Sequence, residues 1–250
     1  MSRAQRWVIG LLVLAAFGWS AWATDVSATR VVEGLPFMRD FLRRMMPPDL
    51  SVLGHGLTGA MQTLEIAVVG TLAAAVLALP MSFAAARNTA PPWLFYAARS
   101  VLNVFRAVDT LVYALFFVAA VGLGPFPGVL AVVVYTAMVL AKLYSEAIEA
   151  IDPGPLEAVK ATGATRLQVL RWGVLPQLVP QFLSFTLYRF ETNVRAAAIL
   201  GFVGAGGIGF YIQTYLRMLN YPAASTILLV LVVLVMLVDF ASSKLRAHLV

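Results

Sequence analysis

Apolar runs, each about as long as a bilayer's hydrocarbon is thick, recur through this 250-residue chain, separated by short polar or basic connections. The plainest covers residues 223–240, where Asp239 is the only charge and Lys244 and Arg246 follow. Others cover 7–23, 57–86, 93–121, 129–144 and 178–200, so the pattern predicts an all-α integral membrane protein with about six transmembrane helices. Composition agrees: 12% of residues are charged, against about a quarter in soluble domains. The chain has no cysteine, which removes disulfides, thiolate catalysis and thiolate metal sites, and its two histidines are isolated. No metal site, cofactor or catalytic constellation is expected. The net charge of +6 comes from basic residues placed between apolar runs, where they orient a chain in the membrane. Nucleic-acid binding is therefore not expected.

Arg3 and Arg6 precede the first run, whose Ala21-Trp22-Ala23 ending resembles a signal-cleavage site. Trp19 and Trp22 sit where an outer interfacial belt would place them, and a retained helix is the expectation. In the polar connection 24–56, Phe37, Met38, Phe41, Leu42, Met45 and Met46 share a helical face largely opposite Arg39, Asp40, Arg43 and Arg44, and Pro47 and Pro48 end the helix. That is the pattern of a helix lying in the membrane interface, where it either floats on headgroups or docks a partner. His55, between Gly54 and Gly56, reads as a solvated loop residue. In the second run Gly70 and Ala73-Ala74-Ala75 permit close helix approach, and Pro80 should kink or end it. Over 93–121, Arg99, Asn103, Arg106 and Thr110 form one polar stripe on a single rod. Residues 122–128 make a short hairpin, and 210–221 a connection.

Between the fourth and fifth runs lies a polar, helix-forming island at 152–176, reading DPGPLEAVKATGATRLQVLRWGVLP. Asp152 suits an N-cap, Pro153 a first helical position, and Gly163 the left-handed conformation that ends a helix. Thr165 followed three residues later by Gln168 is a capping-box pattern opening a second short helix, which Gly173 and Pro176 should stop. The island is too short and too polar to span. Six spans put both termini on one side. Arg3, Arg6, Arg87, Arg99, Lys160, Arg166, Arg171, Lys244 and Arg246 on that side outnumber Arg30, Arg39, Arg43, Arg44 and Arg217 on the other. Both termini and the island are accordingly assigned to the cytoplasm.

Glu157-Ala158-Val159, with Gly163 six residues after the Glu and Leu175-Pro176 a further dozen on, resembles the EAA loop of ATP-binding-cassette importer permeases. Val159 departs from that motif's second Ala. The longer run from Glu146 to Gly209 resembles the permeases of phosphonate, phosphite and related phosphate-type uptake systems, and the earlier spans resemble them less closely. The resemblance implies the type I importer permease fold (MetI-like), with an N-terminal segment 1–56 and a permease core 57–250. It also implies that Leu156, Glu157, Ala158, Val159, Lys160, Gly163 and Pro176 couple the chain to an ATPase. The partners implied are a second copy of the chain, two ATPase subunits holding ATP and Mg, and a periplasmic binding protein, assembled in the bacterial inner membrane. The cargo implied is a phosphorus oxyanion carried by alternating access, with no hydrolysis by this chain.

Intramembrane charge is the second functional signal, because a central arginine costs about 2.5–3.5 kcal/mol on insertion scales and persists where it is buried or wetted. Arg189, Glu191, Asn193 and Arg195 lie in the fifth run and, with Arg106, form the candidate pathway set. Glu191 and Arg195 can pair at i,i+4, either to lock helices or to serve transport, while Arg189 and Asn193 share another face. Arg189 lacks an acidic partner on its own helix and is expected to face a polar pathway or a partner chain. Arg106 has Asp109 three residues on and reads as structurally paired; Asp239 and Glu65 read as interfacial. The glycine run 201–209, with Gly204, Gly206 and Gly207, gives either an outer gate or close helix packing, and lacks the lysine and hydroxyl of a P-loop. A competing reading is an ion-gradient-driven carrier of small anions relaying through Glu191, Arg195 and Asp109, which leaves the island without a role. Because Gly163 permits the reversal that presents the docking helix, Gly163→Leu is expected to abolish ATPase stimulation and uptake in membranes where it inserts normally. Unchanged uptake would contradict that role.

Overall fold

The computed structural model describes residues 3–247, among which every regular element is helical. It comprises two compact units, one ending at Pro47 and one beginning at Pro48. The sequence boundary at 56 falls later, since the second unit opens with a 3-10 turn at Leu50–Val52 and its first long helix begins at Leu53.

In the first unit, α1 (Arg3–Ala23) and α2 (Ala28–Arg44) follow each other closely. Residues Gln5–Ala23 are long and apolar enough to cross a membrane, and Trp19 and Trp22 at the far end are exposed. The side chain of Arg3, one of the basic residues used to orient the chain, lies outside the described residues. Helix α2 carries Phe37, Met38 and Leu42 exposed, and Arg44 Nε donates to Asp40 Oδ2 at 2.8 Å one turn back.

The second unit is organised around α3 (Leu53–Ala85), which runs through Pro80 without ending there. Its buried side is built of small residues: Gly59, Thr63, Ala67, Gly70, Thr71, Ala74 and Ala78 among them. In lipid no hydrophobic force drives one apolar helix onto another, so contact depends on how close two backbones can come. At Gly70 an added Cβ would stand 2.5 Å from Val132 Cγ1, and at Gly59 it would stand 2.9 Å from the Ile208 Cα. Two elements therefore meet α3 at close range, α6 (Pro125–Glu149) and α10 (Ile208–Arg217), and α9 (Leu175–Leu200) packs on it as well. Ala67, Val194, Ala198, Ile208, Ile212 and Ile227 form one core between α3, α9, α10 and α11 (Tyr221–Arg246). Leu102, Leu140 and Tyr144 anchor another at the opposite end of α3.

Three sequence expectations are corrected. The single rod over 93–121 is two helices, α4 (Pro92–Arg106) and α5 (Thr110–Val121), bent by 81°. Asp109 causes the restart: it adopts extended backbone and its Oδ1 accepts from the Leu111 N–H at 2.8 Å, as an N-cap does. The polar stripe is thereby split, with Arg99 and Asn103 on α4, Arg106 at its last turn, and buried Thr110 beyond the bend. The connection at 210–221 is mostly the amphipathic helix α10, whose Ile208 and Ile212 are buried. His55 is helical, not a loop residue: its Nδ1 lies 2.7 Å from Tyr215 Oη and its ring stacks on Tyr211 at 5.7 Å. Five helices are long and apolar enough to span, or six if the bent pair counts as one broken span.

The close approach at Gly70 makes a specific demand. Gly70→Leu should destabilise the purified protein by roughly 2–3 kcal/mol through overpacking against Val132, whereas Gly34→Leu, with nothing within 4 Å of its added Cβ, should leave its thermal unfolding in detergent unchanged.

Candidate functional site

The island folds as two short helices, α7 (Pro153–Ala161) and α8 (Arg166–Val169). Local chemistry sets both. Asp152 Oδ1 accepts from the Gly154 N–H at 2.9 Å, Gly163 takes φ +76°, and Gln168 Oε1 accepts from the Thr165 N–H at 2.8 Å. Gly173 and Pro176 do not stop the second helix, as the sequence suggested. A π turn over Leu170–Val174 carries the chain directly into α9. Pro176 has no N–H and its ring crowds the preceding turn of a regular helix, so a widened turn before it lets the helical path continue.

Gln177, which no local sequence pattern marks, closes this assembly. Its Nε2 donates to the Gly173 carbonyl at 2.8 Å and to the Asp152 carbonyl at 3.3 Å, and its Oε1 accepts from the Asp152 N–H at 3.0 Å. The start of α7 is thus fastened to the start of α9. Leu156 is turned inward, its Cα and side chain packed on buried Gly173. Glu157, Ala158 and Lys160 are exposed, Val159 is half-buried, and Pro176 is exposed on the first turn of α9. An open groove on this surface is lined by Ala158, Val159, Thr162, Gly163, Gln168 and Trp172.

Helix α9 then carries the intramembrane charges on two faces. On one, buried Asn193 is a hub: its Nδ2 donates to Thr71 Oγ1 of α3 at 2.8 Å, and its Oδ1 accepts from Thr136 Oγ1 of α6 at 3.0 Å. Arg189 joins it, with Nη2 at 3.2 Å from Asn193 Oδ1 and 3.4 Å from Thr136 Oγ1. Its guanidinium lies 5.4 Å from the Tyr135 ring centre, and its Nε is buried without a hydrogen bond. On the other face, Arg195 Nη2 donates to Glu191 Oε1 at 2.6 Å and to Asp239 Oδ1 of α11 at 3.0 Å, while Arg246 Nη2 donates to Glu191 Oε2 at 3.2 Å. Asp239 therefore ties α11 to α9. A lone acid in an apolar helix was the available signal for it.

The expected Arg106–Asp109 pair is absent: Asp109 is occupied as a cap, and among the described residues Arg106 forms no salt bridge. Arg99 instead pairs with Glu149 at 2.8 Å and donates to the Ala85 carbonyl at 3.1 Å, tying α4 to α3 and α6. Glu65 sits well inside α3, exposed and without a salt bridge among the described residues. In the glycine run, Gly204, Gly206 and Gly207 all have φ between +75° and +85°. The turn is held, with the Gly207 N–H on Gln62 Oε1, the Ile208 N–H on Thr63 Oγ1 and the Gly124 N–H on the Gly204 carbonyl. Added Cβ atoms at Gly204 and Gly206 would meet Leu123 and Pro125. Among the described residues no group of His, Cys, Asp and Glu is arranged to hold a metal ion.

A family model described as a binding-protein-dependent transport system inner membrane component matches residues 78–250. The phosphite transport system permease protein PtxC of Stutzerimonas stutzeri is 43% identical over 242 residues, covering 96% of this chain and 86% of its own. The putative phosphite transport system permease protein HtxC of the same organism is 39% identical over 245 residues, covering 98% and 87%. A chain from inward-facing conformations of the MetNI methionine ABC transporter superposes with a TM-score of 0.70 at 25% identity, over 81% of this chain and 99% of that one.

The Gln177 fastening can be read without any transport assay. Gln177→Leu removes three hydrogen bonds worth about 1 kcal/mol each, so amide exchange over residues 153–161 should accelerate at least about tenfold while that of α3 stays unchanged.

Proposed function

The chain belongs to the binding-protein-dependent transport system inner membrane components, and from that premise we propose that it is the permease through which an ATP-driven importer passes a phosphorus oxyanion such as phosphite or a phosphonate. It is a multi-pass inner-membrane permease of type I importer fold, a transport subunit of its complex and not itself an enzyme. The names of its relatives support the cargo class, and Arg106 and Arg189, guanidinium groups suited to tetrahedral oxyanions, are compatible with it.

The observation that carries the reading is the continuous path from island to charged helix. Helix α7 is fastened by Gln177 to the start of α9, and the π turn leaves no loop between them. A force applied to α7 is therefore delivered to α9, which bears Arg189, Asn193 and the ion pairs to α11. On this reading Glu157, Ala158, Val159, Lys160 and Gly163 present the docking surface to an ATPase subunit, with Leu156 as its inner support and Pro176 in the first turn of the helix that receives the force. Two such ATPases hold ATP and Mg; a periplasmic binding protein delivers cargo, and a second copy of the chain completes the pathway by alternating access. The packed Gly204, Gly206 and Gly207 turn would act as a rigid stop at the outer end of α9.

The ion-gradient alternative finds less support. Asp109 caps α5, and Glu191 and Arg195 are engaged with Arg246 and Asp239, so its relay groups are already occupied. Proteoliposomes containing the full complex with its binding protein should accumulate labelled phosphite only with internal or external ATP available to the ATPase, and vanadate should stop them. Uptake that ignores vanadate and collapses with a protonophore would contradict the proposal.

A further inference from the structure

The first unit carries positive charge that its own fold does not use. In α2, Arg30 pairs with Asp25 and Arg44 with Asp40. Arg39 and Arg43, exposed and one turn apart, form no salt bridge among the described residues. A favourable charge at a helix C-terminus accounts for Arg43 but not for Arg39, a turn earlier.

Their place on the helix is specific. On one side the two arginines share a groove with Leu35, Met38, Leu42 and Met46, and on the other they line a second groove with Val32 and Pro36. They stand at the border of the apolar face, on which Val31, Leu35, Met38 and Leu42 are each more than half exposed. Glu33 and Asp40 fall roughly a quarter-turn or more further round, away from that face. An arginine at such a border lays its stem along apolar surface and holds its guanidinium at the level of headgroup phosphates.

The chain also delivers α2 to that level. Residues Gln5–Ala23 are long and apolar enough to cross a membrane, and none of that stretch is buried in the fold. Helix α2 starts after a compact turn, in which the Thr24, Asp25 and Val26 N–H groups bond back to the Ser20, Trp22 and Ala21 carbonyls. It therefore begins where the apolar helix ends. With Arg30, Glu33, Arg39, Asp40, Arg43 and Arg44 among its 17 residues, it is too polar to continue into hydrocarbon.

We propose that α2 is a binding site for anionic phospholipid in the membrane interface, Arg39 and Arg43 together taking the headgroup phosphate while Val31, Leu35, Met38 and Leu42 enter the acyl boundary. The guanidinium fork matches a pair of phosphate oxygens, and two uncompensated charges favour a lipid of net negative charge over a zwitterionic one. The inference does not depend on what the permease carries.

The test places the full chain in nanodiscs of phosphatidylcholine, alone or mixed with phosphatidylglycerol, and reads amide exchange over residues 28–44, with that of α3 as the folding control. Phosphatidylglycerol should slow exchange in α2 at least about tenfold, and Arg39→Gln combined with Arg43→Gln should remove the slowing while α3 is unchanged. If the double variant fails to insert, Arg39→Gln alone decides: a slowing reduced at least about threefold supports the site, and a wild-type slowing overturns it. Equal exchange in the two lipid mixtures overturns the proposal. So does slowing in pure phosphatidylcholine on addition of inorganic phosphate or of the binding protein, because α2 would then be held by a free anion or by a protein surface.

Discussion

The closeness with which backbones meet along α3 is the constraint on which the rest of the second unit depends. Lipid provides no solvent-exclusion force between apolar helices, so dispersion contacts and hydrogen bonds must hold them, and both need short distances. Gly59 and Gly70 provide these distances against α10 and α6. The polar hub follows from the packing: Thr71, one residue beyond Gly70, reaches Asn193 at 2.8 Å, and Asn193 reaches Thr136 of α6 at 3.0 Å. Three helices are thereby fixed around one buried amide, and Arg189 is held at its edge.

Helix α9 gathers the functional elements because it is continuous with the island. Its first turn is tied to α7 by Gln177, and its far end enters a glycine turn whose backbone is pinned by Gln62 and Thr63. Between those ends, two faces divide the work. One carries neutral partners and an arginine without a counter-charge; the other carries a closed set of ion pairs to α11. Charge balance, not position along the helix, separates Arg189 from the residues that tie α9 to α11.

The sequence made the spans and the island legible because both depend on local signals. Apolar length marks a crossing helix, and Asp152, Gly163 and the Thr165–Gln168 pair are caps whose partners lie within three residues. What escaped depends on distance. Asp239 and Arg195 are 44 residues apart and meet only because α9 and α11 pack side by side, and Gln177 acts on residues 25 positions away. The break at 107–109 escaped for a different reason: apolar periodicity continues across it, and a single aspartate cap was read as an ion-pair partner. The glycines beside His55 suggest a loop, whereas Gly56 is a packing residue against Ile227 and Val230.

On the proposed coupling, α7 and α9 move as one body. Spin labels at Ala158 and Tyr188, both exposed, would report their separation by pulsed electron resonance in the assembled transporter, compared between the nucleotide-free and ATP-vanadate-trapped states. Rigid coupling gives an unchanged α7–α9 distance while the distance between Tyr188 labels on the two proposed copies of the chain shifts. A changing α7–α9 distance with stationary Tyr188 labels would contradict it, because the island would then flex without moving the helix that carries the arginines.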